Sequence, residues 1–418
     1  MQPRADAERW EPWLFVFSSA SLMAVLAGVW YCGSVLLLPL MDEFGQDYAA
    51  TTLVFSLFTI SYGGSAVLIG HLVDRFGPAR IIASGGVLIF VSALTSSIAT
   101  ARWHLYASHG VLAALGVAGI GYVPIAVLLT RHFHSHRGLA LGVASSGAGL
   151  GILGLVPLTH ATSAAYGWRV AFLVLGATSA LIVSAALFLI RVQGTSRETL
   201  TAIEQKSQEN RITMALTAIK SPLFWLVLVA ILLTNCPIQM LMTHHIAHLI
   251  EAGQKTELIG PMLTVLGVMS IPGKVLWGYL SDAFRLELAY MAGALCFVGA
   301  IAVLLCFHPS VSGTWLLYAY AVMMGVGYSI GPAMTSIICG RFFAGPYFGT
   351  IFGVMNALYN ISAGLAVWLG AVLRDASGSY RLTFVAAGAS VLLGAASTWL
   401  GVPIERAMSP PNRGKEDA

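Results

Sequence analysis

The chain has 418 residues, 57% of them hydrophobic and only 10% charged, with a formal net charge of +4 at pH 7. Soluble domains carry about 25% charged residues, so a surface this poor in charge cannot be solvated and the chain must live in lipid. A soluble enzyme is excluded, and too little sequence lies outside the apolar stretches to build a separate soluble domain.

A bilayer core needs about 20 apolar residues per crossing, and twelve stretches qualify. Spans 1 to 6 are read at 13–40, 51–73, 79–99, 104–130, 138–163 and 169–191. Spans 7 to 12 are read at 223–250, 258–281, 287–307, 313–339, 347–372 and 381–402. Several are interrupted by glycine, which membrane helices tolerate better than soluble ones. Between spans 6 and 7, RETLTAIEQKSQENR is polar and charged with some helical periodicity, and reads as a surface linker helix. The predicted organisation is an all-α membrane protein: a six-helix half over 1–192, a linker over 193–222, a second six-helix half over 223–402 and a tail over 403–418. The first apolar stretch is too long for a signal core and lacks a convincing cleavage site. Cys32, Cys236, Cys296, Cys306 and Cys339 are scattered without CxxC spacing, so neither a metal site nor a disulfide framework is expected, and no cofactor. The three histidines of HFHSH (132–136) stand alone at the end of span 4 and read as loop residues.

Of the 22 Lys and Arg, sixteen fall at the termini and in the even-numbered loops, five in the odd-numbered loops, and Lys274 falls inside span 8. By the positive-inside rule both termini are expected in the cytoplasm, in what reads as a bacterial inner membrane. An internal repeat supports the two halves. GHLVDRFGPAR (70–80) after span 2 is echoed by GYLSDAFRLEL (278–288) after span 8, and Gly119-Ile120-Gly121-Tyr122 in span 4 by Gly325-Val326-Gly327-Tyr328 in span 10. Arg131, Gly142, Arg169 and Phe172 pair with Arg341, Gly353, Arg381 and Phe384, at offsets that drift only from 206 to 212. Two related halves predict a pseudo-twofold axis along the membrane normal, with a substrate site between them near mid-membrane.

Gly70, Asp74, Arg75, Gly77 and Arg80 resemble the GxLxDRxGxR loop of the major facilitator superfamily, and the second half keeps Gly278 and Asp282. The stretches 28–45, 55–80, 119–151 and 167–176 are similar to the monocarboxylate transporters and the oxalate:formate antiporters. That resemblance implies the twelve-helix major facilitator fold and movement of a small carboxylate, with a proton or by exchange. It also implies a gating role for Asp74, Arg75, Arg80 and Asp282, with Asp74 and Arg75 forming a charge-assisted pair that latches the halves.

Lys274 lies eight residues before Asp282 at the end of span 8, about 12 Å into a hydrocarbon core about 30 Å thick. A Lys at a helix centre costs roughly 2.5–3.5 kcal/mol to insert, so an intramembrane ionisable group points to function. None of the 18 acids falls at mid-span. The missing partner is therefore expected to be an anionic substrate, which argues against export of cationic drugs. The resemblance places Lys274 where related carboxylate transporters hold a span 8 Arg or Lys that binds anion. In the proton-coupled relatives an Asp stands one turn earlier, and here that position is Ser270. His244 and His245 at the outer end of span 7, with His248 beside them, are the alternative proton carriers. Tyr31, Tyr122, Tyr328 and Tyr359, with Asn235, Asn356 and Asn360, are the candidate substrate contacts, since hydroxyls and amides bond a carboxylate while rings wall its body. Asn360 stands in span 11, where oxalate exchangers carry a second cation, which favours one negative charge per substrate.

The resulting expectation is a monomeric secondary transporter of a small organic monocarboxylate, working by alternating access through proton symport or anion exchange, with lipid as its surroundings and no nucleic-acid partner. No Walker loop is present, so gradients supply the energy. The rival readings are an efflux transporter of a drug or metabolite, and a non-transporting sensor on the same scaffold. The sensor reading expects a longer signalling tail than the sequence after span 12 provides.

Overall fold

The computed structural model describes residues 4–44, 48–133, 136–194, 208–306 and 313–408. The described residues are helical almost throughout, and eleven of their helices are long and apolar enough to cross a membrane. Spans 2 and 3 are Tyr48–Phe76 and Pro78–Ser97. Spans 5 and 6 are Arg137–Tyr166 and Trp168–Gly194. Spans 7, 8 and 9 are Pro222–Glu251, Thr256–Ala283 and Leu286–Cys306. Spans 11 and 12 are Phe348–Ser377 and Arg381–Met408, the last running past its expected end. The expected linker contains a helix, Gln208–Lys220, packed on spans 7 and 11, whereas 195–207 and the tail from 409 lie outside the described residues.

Three spans are not single α-helices. Span 1 is Arg4–Tyr31 and Gly33–Phe44, joined by a turn at Cys32. Span 4 opens with Arg102–Leu105, widens to a π-helix over Tyr106–Ala113, resumes over Ala114–Ile120, and restarts as Tyr122–His132. Span 10, expected as one helix, is instead Gly313–Tyr328 and Ile330–Phe342, and neither piece of 16 or 13 residues has the length to cross alone. The two breaks share a cause. Pro124 has no N–H for the carbonyl of Ile120, and Pro332 none for that of Tyr328, so each helix loses an i to i−4 bond at the same place in the repeat. Gly121, between the pieces of span 4, takes extended angles (φ −86°, ψ −153°).

The packing pattern repeats as the helices do. Span 1 lies on spans 5 and 6, span 3 on 4 and 6, and span 2 on 4; span 7 likewise lies on 11 and 12, span 9 on 10 and 12, and span 8 on 10. The halves meet where span 2 packs on span 11 and span 5 on span 8, assisted by Tyr122–His132 and Ile330–Phe342. Each half buries large side chains that fill the space between its helices, Phe172 in one and Tyr290, Phe297 and Phe384 in the other. Local signals set the helix ends. Gly77 adopts φ +83°, which an L side chain rarely takes, and Pro78 starts span 3. Ser221 caps span 7 by accepting from the Phe224 N–H at 3.2 Å, with Pro222 in the first turn.

Candidate functional site

The interface between halves is built from backbone touching backbone. A Cβ on Gly70 would stand 2.2 Å from the carbonyl oxygen of Gly349, and one on Gly353 2.4 Å from that of Ala66. In the repeat-related contact, a Cβ on Gly278 would stand 2.2 Å from the Gly138 oxygen, and one on Gly142 2.4 Å from the Lys274 oxygen. Small residues at these positions let spans 2 and 11, and spans 5 and 8, approach as larger ones could not.

Each contact ends in a carboxylate that crosses to the other half. Asp74 accepts from the Gly349 N–H at 3.0 Å, the Thr350 N–H at 2.7 Å and the Thr350 hydroxyl at 2.7 Å, at the start of span 11. Asp282 accepts from the Gly138 and Leu139 N–H groups at 2.8 and 2.7 Å, at the start of span 5. A helix start has N–H groups without partners and a positive dipole end, so a carboxylate there is bound by both. The expected Asp74–Arg75 latch is thereby corrected. Consecutive helix residues point about 100° apart, so turning Asp74 toward span 11 turns Arg75 away; Arg75 lies over the Phe76 ring at 5.1 Å and is exposed, as is Arg80.

The two carboxylates differ in setting: Asp74 is 6% exposed, whereas Asp282 faces solvent. Removing Asp74 strands buried donors, at about 1–3 kcal/mol, while water can replace Asp282 and its loss should stay below about 1 kcal/mol. Asp74→Ala is therefore expected to open this face far more than Asp282→Ala. The measurement is labelling by an impermeant maleimide of Ser281→Cys in a chain whose native cysteines are replaced, since Ser281 lies in the contact with Gly138. Equal labelling in the two variants would contradict the asymmetry.

Lys274 is 3% exposed, and its Nζ lies 5.8 Å from the centre of the Tyr328 ring. Among the described residues no hydrogen bond or ion pair engages that ammonium. Tyr328 closes the first piece of span 10 and Tyr122 opens the second piece of span 4, beside the two helix breaks. Tyr31, Tyr62, Tyr328 and Tyr359 all lie within electrostatic reach of Tyr122, so spans 1, 2, 4, 10 and 11 bring five phenols together. Tyr31 keeps 48% of its surface reachable by water. Tyr62, at 6% exposure, is packed edge-on to Trp30 at 4.9 Å.

The amides divide. Asn360 donates to the Asn356 backbone and side-chain oxygens at 2.8 and 3.0 Å, and its Cβ faces Gly63 of span 2 across the interface. Asn235 instead donates to the Ile231 carbonyl at 2.9 Å and the Thr335 hydroxyl at 3.2 Å, and packs on Gly331. Its amide nitrogen is occupied tying span 7 to span 10 within one half. The histidines also turn inward to their own half. His244 Nε2 sits 3.0 Å from the Val367 carbonyl oxygen, His245 is 1% exposed with its ring 6.1 Å from Tyr320, and His248 packs on Phe384 at 5.2 Å. Their periodicity put them at the end of a span, but only packing decides which side of it they face.

Sequence reasoning did not identify Thr350, whose hydroxyl carries no signal until span 11 is placed against span 2. It also missed His109, buried in the π-helix of span 4 with its Nε2 3.9 Å from Cys32 Sγ and its ring stacked on Phe58 at 5.4 Å. Glu287, 2% exposed, meets Arg341 at 3.3 Å and Arg285 at 3.8 Å at the start of span 9. A groove of about 660 Å³ runs along span 8 over Pro272, Leu276 and Tyr279. Those three residues lie on the face opposite Lys274 by the 100° helical step, and Lys274 is not among the residues that line the groove, so it is not where an anion would meet the ammonium.

Paired helical halves, glycine-lined contacts and a buried cationic centre define a membrane transport protein. A family model described as Major Facilitator Superfamily matches residues 18–254 and 246–418, and the chain belongs to that family. It is 27% identical over 398 residues to monocarboxylate transporter 13 of Bos taurus, covering 91% of this chain and 87% of that one. It is 24% identical over 404 residues to the oxalate:formate antiporter of Oxalobacter formigenes, covering 94% and 93%. Among solved structures, a proton:xylose symporter of the superfamily aligns with a TM-score of 0.71 at 16% identity, covering 93% of this chain and 96% of that one, a likeness of fold alone.

Proposed function

We propose that this integral membrane protein moves a small organic monocarboxylate by alternating access, with Lys274 as the group that binds the anion. The observation that carries this reading is a buried ammonium facing a tyrosine ring with no carboxylate engaging it among the described residues. A buried unpaired charge is costly, and an anion arriving between the halves would neutralise it. Tyr31, Tyr122, Tyr328, Tyr359, Asn356 and Asn360 then supply hydroxyl and amide contacts around the carboxylate and its body. Asn235 positions spans 7 and 10 and acts at one remove.

In this reading the halves are 1–192 and 223–402, joined by 193–222, and both termini face the cytoplasm by the charge asymmetry of the loops. Asp74 and Asp282 hold the cytoplasmic face shut when the cleft opens outward, and release the starts of spans 11 and 5 when it opens inward. Arg75 and Arg80 sit in the same loop as headgroup-level charges. His244 and His245 face their own half, which favours anion exchange over proton symport as the coupling. The names of the relatives, which include both monocarboxylate transporters and an oxalate:formate antiporter, agree with a carboxylate substrate.

Uptake into reconstituted vesicles tests this. Labelled lactate, pyruvate and formate should enter faster when the vesicles hold unlabelled anion, labelled oxalate should not, and an imposed pH gradient should have little effect. Uptake driven by pH alone would replace exchange with symport. No uptake of any of the four would remove the carboxylate reading and leave efflux or sensing.

A further inference from the structure

We infer that Trp277 and Ser329 are positioning residues that clamp the broken span 10 onto span 8 and thereby hold the Tyr328 ring over Lys274. The inference rests on Lys274 being the anion-binding group, but its test does not require transport.

The break after Tyr328 leaves the carbonyl of Val326 without its regular helical partner, since a bond from the Ile330 N–H would carry the helix through Ser329. Within a membrane such a group must find a donor inside the protein. One side chain supplies that donor, and a second ties the same turn to span 8. The indole N–H of Trp277, itself 4% exposed, donates to the Val326 carbonyl at 2.8 Å. The hydroxyl of Ser329, fully buried, lies 2.7 Å from the Gly325 carbonyl and 3.0 Å from that of Ser270. It has one proton, so it serves its own helix or span 8 in turn. Between these points the backbones touch: a Cβ on Gly273 would stand 3.0 Å from both Val326 Cα and Ser329 Oγ.

Ser270, Gly273 and Trp277 bracket Lys274 on span 8, and Val326 and Ser329 bracket Tyr328 on span 10. On the other side of span 8, Gly142 of span 5 lies against the Lys274 carbonyl. The backbone of Lys274 is thus held between two helices, and the pivot at Ser329 sets where the Tyr328 ring sits. Ser270, at the position where a carboxylate is expected from the resemblance, contributes its main-chain carbonyl to this bracket instead of a side-chain charge.

The test is the rate at which acetic anhydride acetylates Lys274 in the purified full-length protein, read by peptide mass spectrometry. Tyr328→Leu should raise the rate about tenfold by uncovering the amine. Trp277→Phe should raise it by a similar factor, because the freed Val326 carbonyl lets span 10 move. The double variant should react about tenfold faster than wild type and not about a hundredfold, since both changes remove the same cover. Ser329→Ala should give a smaller rise, about threefold, and it carries the test if Trp277→Phe does not fold. Unchanged labelling in Trp277→Phe and Ser329→Ala, or rates that multiply in the double variant, would overturn the clamp. A clamp that passes while vesicles take up no carboxylate would instead sink the transport reading and leave the geometry standing.

Discussion

Gly70→Ala is expected to abolish transport while leaving the protein inserted and folded. The added Cβ would stand 2.2 Å from the Gly349 carbonyl oxygen and 2.8 Å from its carbon. Both atoms are backbone in a helix and cannot rotate aside, so spans 2 and 11 must part. Overpacking of this kind costs about 1–3 kcal/mol. The parting also stretches the bonds from Gly349 and Thr350 to Asp74, which are 2.7–3.0 Å long. Together these effects should shift the balance away from the closed interface by about two orders of magnitude, since about 1.4 kcal/mol is a factor of ten. Gly64 is the control on the same helix, because a Cβ there meets nothing within 4 Å. Gly64→Ala should transport like wild type. The readouts are pyruvate uptake and maleimide labelling of Ser281→Cys, which should rise in Gly70→Ala alone. Normal uptake by Gly70→Ala would mean that this contact is not part of the cycle.

Lys274→Ala is the second large effect. Removing one partner of a buried charge pair costs about 2–5 kcal/mol, much of it the penalty of leaving the other charge unpaired. Anion uptake should therefore fall by at least about thirtyfold, and by several thousandfold at the upper end. The protein itself should not suffer, because Lys274 has no carboxylate partner among the described residues to strand, and the empty chain could become slightly more stable. Lys274→Arg should keep part of the activity, as the charge is retained but the guanidinium is wider than the ammonium that faces Tyr328. The combination of lost uptake and unharmed stability separates a binding role from a structural one.

Much of the fold could be read from particular residues. Apolar length located the eleven helices long enough to cross and the stretch that holds the two pieces of span 10, and the pairing of Gly70 with Gly278 and Tyr122 with Tyr328 anticipated the repeated packing. The break in span 10 was less visible, because the glycines and Pro332 also occur in unbroken membrane helices and hydropathy does not register a lost hydrogen bond. At the site, the isolation of Lys274 could be read because charge in an apolar run is rare. The partners of Asp74 across the interface could not, because they are the N–H groups of Gly349 and Thr350 and the Thr350 hydroxyl in the other half, and N–H groups leave no mark in sequence. Arg75 was the nearest opposite charge in the chain, but a neighbour in sequence faces elsewhere on a helix. Asn235 and the histidines illustrate the same limit: polarity inside a span indicates a partner, and only packing tells whether that partner is substrate or another helix.

The most direct measurement is equilibrium binding of labelled pyruvate, lactate and formate to purified protein carrying Lys274 or Lys274→Gln, with folding checked by thermal melting. Binding of at least one of these anions by the native chain, kept in part by Lys274→Arg and lost by a well-folded Lys274→Gln, is the expected result. Equal binding by the native chain and Lys274→Gln would contradict it.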